Sequence, residues 1–339
     1  MRLPSPFEYS GVIHVHTDRS DGTAGYEYVA AAARAAGADF LIVTDHDTLG
    51  GGPSVEGWYD GLLLLVGAEV SPDRNHYLCL GIGEVPSREL APAEVVESVA
   101  RQGGLGFLGH PNDVGSPFLR LPSYRWDAWP LTGFTGLEVW NFFSQLVARS
   151  QNLPAALLTA LFPVWRVNGP PRENLALWDS LAARGRTVGI AGVDAHGGGR
   201  WDRLPLIVAS YRRQLRTLRT NVLLEEPLRG ELDADRRAVL GALARGRCYM
   251  QNLGVGAERG FALYYDDALM GDEVSFRRGM ALRVEVPREA RCVLVRDGAV
   301  VEERRGRRVL FPVARPGAYR VEVYRGRFPW IFSNHIYVR

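Results

Sequence analysis

Short apolar runs alternate with helix-like stretches through the first 250 residues. The pattern predicts strands at 11–17 and 39–44, with a helix at 26–36 between them that ends at Gly37. Further strands are predicted at 62–68, 77–82, 105–108, 136–140, 187–191 and 206–209, and further helices at 94–102, 172–184 and 234–245. Such alternation predicts an α/β fold with a mostly parallel sheet or barrel, whose functional side chains gather at the carboxyl ends of the strands.

The hydrophobic pattern changes near residue 250. Short alternating segments follow at 261–265, 281–286, 292–295, 309–313 and 319–324. The dipeptides Asp297-Gly298 and Pro316-Gly317 mark turns between them. We therefore predict two domains, an α/β domain at 1–250 and a small antiparallel β-sandwich at 251–339.

Composition excludes several kinds of site. All 40 basic residues are arginine, so a P-loop lysine and a Schiff-base lysine are both absent. The net charge of +2 gives no electrostatic argument for nucleic acid as a partner. No run of 18 apolar residues predicts a membrane span, and the amino-terminal segment lacks the order of a signal peptide. We expect a cytoplasmic protein whose three cysteines are buried as small hydrophobic residues.

Histidines and carboxylates cluster near the predicted strand ends. His14 and His16 stand two residues apart on a predicted strand, so we expect their rings on one face, about 7 Å apart. Nine nitrogen and oxygen donors share such positions: His14, His16, Asp21, His46, Glu69, His76, His110, Asp194 and His196. Nine donors are too many for one ion and suit two or three divalent ions with positions left for water. Imidazole and carboxylate without thiolate favour Zn²⁺, Mn²⁺ or Fe²⁺. His335 lies far along the chain and is expected to be a surface or packing residue.

The strings HVHTDRSDG, TDHD, GHP and VDAH resemble the four motifs of the polymerase and histidinol phosphatase (PHP) superfamily, over roughly residues 11–200. The resemblance implies a distorted (β/α)₇ TIM-like barrel with a trinuclear metal centre. By motif, the first ion would be held by His14, His16, Glu69 and Asp194, the second by Glu69, His76 and His110, and the third by Asp21, His46 and His196. ALMGDEV, GAYRVEVY and PWIFSNHIYV are similar to a branch of phosphoesterases and carbamate-hydrolase-like metallohydrolases.

These features predict a metal-dependent phosphoesterase that hydrolyses a small phosphorylated molecule or a nucleotide through a metal-bridging hydroxide. The same cluster also suits a carbamate or carboxyl ester hydrolase. A third possibility, different in kind, is a metal-stabilised binding protein without activity.

Six residues beside the motifs are candidates for catalysis and substrate binding. Asp45 and Asp47 flank His46 and would orient imidazoles or move protons. Arg200 would form a fork to phosphate or would be a solvated loop arginine. Substrate contacts at the mouth of the site are predicted for Asn112, Glu138 and Asn141.

Overall fold

The computed structural model describes residues 7–198 and 209–339. The strands in these ranges are β1 (Phe7–Ile13), β2 (Phe40–His46), β3 (Gly57–Tyr59), β4 (Leu62–Val70), β5 (Tyr77–Leu80), β6 (Leu105–Leu108), β7 (Gly136–Asn141), β8 (Val188–Gly192), β9 (Leu218–Leu224), β10 (Cys248–Asn252), β11 (Ala262–Tyr265), β12 (Ala268–Leu269), β13 (Glu273–Val274), β14 (Ala281–Arg296), β15 (Ala299–Pro312), β16 (Gly317–Arg325), β17 (Phe328–Ser333) and β18 (Ile336–Val338). The helices are α1 (Tyr26–Ala35), α2 (Pro92–Arg101), α3 (Phe142–Ala148), α4 (Leu153–Leu161), α5 (Pro163–Arg166), α6 (Arg172–Ala182), α7 (Tyr211–Gln214) and α8 (Leu232–Arg245).

The helices form where apolar residues recur every three or four positions. In α1 the buried residues Tyr26, Val29, Ala30 and Ala33 make one stripe that faces the sheet. Helix α2 begins with Pro92, and the Glu94 carboxylate accepts a hydrogen bond from the backbone N–H of Ala91. These local signals explain why the pattern located both helices to within a few residues.

Nine of the strands that begin in the first 250 residues form one row in the order β8–β7–β6–β5–β4–β2–β1–β9–β10. The short strand β3 adds an antiparallel pairing with β4 outside this row. Four neighbouring pairs are parallel (β1–β2, β2–β4, β6–β7 and β7–β8) and the other four are antiparallel. The sheet is therefore mixed, and the prediction of a mostly parallel sheet is wrong. The short 71–76 connection returns the chain directly from β4 to β5, which fixes an antiparallel pair.

Strand β8, at one end of this row, comes close to β1 without forming a ladder. Val15 and Ala195, which follow β1 and β8, make an isolated parallel bridge. Within the described ranges no strand ladder joins β8 to β1, so the sheet is not closed and the (β/α)₇ barrel is not confirmed. The predicted strand at 206–209 lies almost wholly outside the described residues.

The carboxyl-terminal strands are largely antiparallel, but a separate sandwich is not confirmed. The predicted strands at 281–286 and 292–295 are a single strand, β14, with a register irregularity between Glu285 and Ala290 in place of a turn. Strand β10 pairs with β9 on one side and β17 on the other, so backbone hydrogen bonding is continuous across residue 250. The division of the chain at residue 250 stays a prediction.

A buried charged group joins α6 to the carboxyl-terminal strands. Arg320 donates to both carboxylate oxygens of Asp179, over 2.7 and 2.8 Å, and His335 Nε2 lies 3.0 Å from the same carboxylate. Burial alone would raise the pKa of Asp179, but these hydrogen bonds lower it to about 2. His335 is fully buried, so the packing alternative is correct for this histidine.

Two predictions from composition can be compared with the structure. The three cysteines are buried and unpaired, as expected for small hydrophobic residues. None of the helices in the described part of the chain has the length and apolar character needed to cross a membrane.

Candidate metal centre

His14 and His16 lie beyond the end of the first strand. Strand β1 ends at Ile13, and His14 has the left-handed φ of 66°. The predicted strand at 11–17 is therefore wrong in its second half, because the turn at His14 takes the chain out of the ladder. The two buried imidazole rings nevertheless lie with centroids 5.2 Å apart.

The other donors lie at the same edge of the sheet. His46 is the last residue of β2, and Glu69 is the last but one of β4. His110 follows β6 by two residues. His76 immediately precedes β5, which is antiparallel to β4, so its amino end meets the carboxyl ends of the neighbouring strands. Asp194 and His196 follow β8.

Positive φ angles concentrate at this edge. His110 and Asp194 have φ of 24° and 56°, and His14 shares this unusual conformation. Left-handed backbone is costly for residues other than glycine and clusters at functional sites, where surrounding contacts maintain it. These residues therefore hold side-chain directions that an ordinary strand end would not give.

Glu69 lies at the centre of the cluster, fully buried. Its Oε2 atom is 3.1 Å from His14 Nε2, 3.3 Å from His16 Nε2 and 3.4 Å from His46 Nδ1. Its Oε1 atom is 2.7 Å from His76 Nδ1 and 3.5 Å from His110 Nε2. The two oxygens thus face two different groups of imidazoles, as a carboxylate that bridges two ions would.

Two aspartates extend the cluster on either side. Asp194 Oδ1 lies 3.5 Å from His14 Nε2 and 3.4 Å from His16 Nε2. Asp21 Oδ2, on a half-exposed side chain, lies 3.3 Å from His196 Nε2 and 3.7 Å from His46 Nε2. Four overlapping groups of donors have ligand atoms within 4.8 Å of one another, and together they include all nine predicted residues.

Protonation shows how strongly this cluster attracts positive charge. Burial alone would lower the pKa of His16 and His110, but the carboxylates of Asp194 and Glu69 raise both to about 9. Conversely, burial would raise the pKa values of Glu69 and Asp194, and the imidazoles lower both far below their usual range. In an ion-free cluster, protons balance the carboxylates. Divalent ions can take the place of those protons.

Orphaned ring nitrogens show that the donors fit metal ions. Within the donor cluster, four buried imidazole nitrogens make no hydrogen bond: His14 Nε2, both nitrogens of His16, and His110 Nδ1. Leaving a buried polar atom unpaired costs about 1–3 kcal/mol. His14 Nε2 and His16 Nε2 both point at carboxylate oxygens without hydrogen-bond geometry, and an ion between the atoms would satisfy each of them.

Glu138 lies behind the donors and has no access to a substrate. It is fully buried, and its Oε1 is 2.9 Å from His14 Nδ1. Its Oε2 accepts from the backbone N–H of His110 (2.9 Å) and from the Asn141 amide (2.8 Å). Asn141 also donates to Asp194 over 3.3 Å. Neither Glu138 nor Asn141 lines the cavity in front of the donors, and both hold donor residues from beneath, so their predicted contact with substrate is not supported by their position.

The two aspartates that flank His46 have different surroundings. Asp45 is buried and accepts hydrogen bonds from Thr17 N (2.7 Å) and from the hydroxyls of Thr17 (2.6 Å) and Ser20 (2.7 Å), so it holds the loop before Asp21. Asp47 forms an ion pair with Arg88 at 3.2 Å.

The remaining candidates are not found at the cluster. The Asn112 amide donates to Asn174 over 2.8 Å, and Asn112 does not line the cavity in front of the donors. Its predicted substrate contact is therefore not supported by its position. Arg200 lies outside the described residues.

A cavity of about 160 Å³ opens in front of the donors. One side consists of metal-ligand candidates. The other consists of residues that the sequence analysis did not single out: Asp113, Leu121, Pro122, Tyr124, Phe143, Ser144 and Val147. They come from the 109–135 connection and from α3, where neither strand nor motif patterns signal a site.

Comparison with known proteins gives distant similarities. No family model matches the chain. An uncharacterized protein of Methanocaldococcus jannaschii is 28% identical over 81 residues, which are 23% of this chain and 47% of that protein, so the match spans about half of its length.

Two solved structures are similar at low identity. One is a two-domain protein of Bacteroides vulgatus that contains a predicted PHP-like metal-dependent phosphoesterase, at 13% identity and a TM-score of 0.44, covering 99% of this chain and 98% of that one. The other, from Bifidobacterium adolescentis, is described as a candidate metal-dependent phosphoesterase, at 19% identity and a TM-score of 0.37, covering 57% and 90%.

Proposed function

We propose that this chain is a PHP-type metal-dependent phosphoesterase that hydrolyses a small phosphate ester. One observation carries the proposal: side chains from six separate segments turn nine nitrogen and oxygen donors toward one another around Glu69. Such an arrangement is unfavourable without cations, because it buries carboxylates and unpaired imidazole nitrogens together. Two or three divalent ions, of the Zn²⁺, Mn²⁺ or Fe²⁺ type, suit these donors.

We assign the donors to as many as three sites, as the motif resemblance implies. The first would use His14, His16, Glu69 and Asp194, the second Glu69, His76 and His110, and the third Asp21, His46 and His196. When bound, such ions supply Lewis acidity toward phosphate oxygens and lower the pKa of water at the site.

The chain's own groups orient the donors. Glu138 accepts the Nδ1 proton of His14, so the lone pair of His14 Nε2 faces Glu69. Asn141 donates to Glu138 and Asp194 and thereby links the His14 side of the site to the segment that follows β8. Tyr124 and Phe143 close the cavity opposite the donors and limit the access of water to the reacting groups.

A hydrolysis panel on the metal-loaded protein, with metal content measured in parallel, tests this function. The panel contains phosphomonoesters, phosphodiesters, nucleotides and aryl carbamates. We expect phosphate release by the wild type and its loss in His14→Ala, with the unfolding temperature showing that the variant is folded. His335→Asn, at a buried histidine outside the donor cluster, is the matched control and should keep both metal and activity.

Other outcomes would overturn the proposal in distinct ways. Turnover of carbamates alone would identify a carbamate hydrolase that uses the same donors. Full metal loading without turnover of any compound would identify a metal-stabilised binding protein.

A further inference from the structure

One side of the cavity is largely apolar, although the other side is made of charged donors. Leu121, Pro122 and Tyr124 come from the 109–135 connection, and Phe143 and Val147 come from α3. Hydrogen bonds join the connection to the residues just after α3: Ser116 Oγ donates to the Ser150 carbonyl over 2.6 Å, and Gln151 Nε2 donates to the Gly115 carbonyl over 2.8 Å. We call these five lining residues the apolar wall.

The apolar wall extends along the donor cluster. The Tyr124 ring packs on His76 with centroids 4.5 Å apart, and the Phe143 ring packs on His196 at 5.4 Å. His76 belongs to the group of donors around Glu69 Oε1, and His196 belongs to the group with Asp21. A phosphate group held by ions among the donors would therefore direct its ester substituent toward this wall.

A carboxylate beside the apolar wall adds a charge preference. Asp113 is 7% exposed and accepts hydrogen bonds from Ser144 Oγ (2.6 Å) and the backbone N–H of Tyr124 (3.0 Å). Both Asp113 and Ser144 line the cavity. Among the lining residues that the structure describes there is no arginine to offset this charge. An anionic substituent would meet electrostatic repulsion there, whereas a neutral ring would exchange water for apolar contacts.

We propose that the site selects phosphate esters whose leaving group is a neutral, apolar group of about one aromatic ring. The inference rests on the proposed function and specifies its substrate class. The whole cavity, including the space against the donors that a phosphate group would take, is about 160 Å³. Since a cavity of about 150 Å³ binds benzene, the space along the apolar wall admits at most about one ring. Leaving groups with a carboxylate or a second phosphate are disfavoured, as are those of several rings.

Binding of non-hydrolysable analogues tests the inference independently of turnover. Titration calorimetry on the metal-loaded chain would compare phenylphosphonate with 3-(carboxymethyl)phenylphosphonate, which differ in one remote negative charge. We expect the neutral-ring compound to bind about tenfold more tightly or better. The matching phosphate esters have leaving groups of similar acidity, so their kcat/KM ratio should follow the same order if they are hydrolysed.

Two neighbouring leucines provide matched variants. Leu121 lines the cavity and is 37% exposed, whereas Leu119 is 38% exposed and lies outside the lining. Leu121→Arg should lower the preference for the neutral compound about tenfold, because its cation offsets the repulsion of the charged ring. Leu119→Arg places the same charge two residues away and should leave the preference unchanged.

The outcomes separate this inference from the proposed function. Equal affinities, a preference for the charged compound, or no binding of either phosphonate would overturn the inference. So would equal shifts in the two arginine variants. If phosphate esters are hydrolysed without preference, the inference fails and the function stands. If the phosphonates bind with the expected preference but no ester is hydrolysed, the function fails and the ligand class stands.

Discussion

Replacing Glu138 by glutamine tests whether a buried carboxylate sets the metal affinity of this centre without touching the ions. Glu138 accepts three hydrogen bonds of 2.8–2.9 Å, from His14 Nδ1 on one oxygen and from His110 N and Asn141 Nδ2 on the other. Glutamine retains the shape of the side chain but offers only one oxygen. Both of its orientations are therefore unfavourable.

The two orientations fail for different reasons. If the amide oxygen faces His110 and Asn141, the NH₂ group faces His14 Nδ1, and Nδ1 must accept a hydrogen bond. The imidazole proton of His14 then moves to Nε2, the atom that faces Glu69. If the oxygen faces His14, two N–H donors lose their acceptor, at about 1–3 kcal/mol each. Loss of a partner that orients a ligand typically weakens metal affinity about 10- to 100-fold, which is roughly 1.4–2.7 kcal/mol.

A competition titration against a chromophoric chelator, on protein stripped of metal, measures this change. Glu97→Gln, at an exposed position of α2, is the control for the same chemical substitution and should bind metal like the wild type. Chemical unfolding of both variants shows whether the fold is retained. Metal affinity of Glu138→Gln within twofold of the wild type would refute the role of Glu138 as a positioning residue.

Three further predictions concern packing, charge and thiol reactivity. Gly192→Ala should weaken metal binding and lower the Tm, because a Cβ there would lie 1.6 Å from the Glu138 carboxylate. The control Gly241→Ala, in open space on α8, should stabilise the protein by about 0.5–1 kcal/mol. Equal Tm shifts in the two variants would contradict the prediction. Asp179→Ala should cost about 3–6 kcal/mol in urea unfolding, because buried Arg320 loses two charge-assisted hydrogen bonds of about 1.5–3 kcal/mol each and keeps only its bond to Glu322. A loss below about 1 kcal/mol would contradict this. Desolvation would raise the pKa of Asp179, but hydrogen bonding lowers it to about 2. The ionised carboxylate should therefore contribute about 2 kcal/mol to the free energy of unfolding above pH 4, and this contribution should decline toward pH 2. Asp179→Ala should lack this decline. The three buried cysteines should react with Ellman's reagent only after denaturation, and prompt labelling of the native chain would argue against their burial.

The positions of the donors could be predicted because they depend on local sequence. A histidine or carboxylate just beyond an apolar run lies at a sheet edge whatever the order of the strands. Three details could not be read from the same pattern. The strand ends before His14, the strand after His76 is antiparallel, and a register irregularity replaces the turn expected after Val286. Each depends on pairing with a distant strand, which the local pattern does not encode.

The roles of residues around the donors depend on tertiary contacts. Glu138 stands among apolar residues near a strand end much as Glu69 does, but it lies on the other side of His14 and faces away from the cavity. The apolar wall was missed because Tyr124 belongs to an irregular connection and Phe143 to a short helix. A fully buried carboxylate within a strand needs hydrogen-bond partners, and this requirement was the one available signal for Glu138.

The central claim is that donors between His14 and His196 hold several divalent ions together. Anomalous X-ray scattering from crystals of the metal-loaded protein, recorded at the absorption edge of the metal that elemental analysis identifies, tests it directly. We predict more than one ion within the donor cluster, with Glu69 bound to two of them through different oxygens. Metal-loaded crystals with no ion among these donors, or with ions only at the protein surface, would contradict the account.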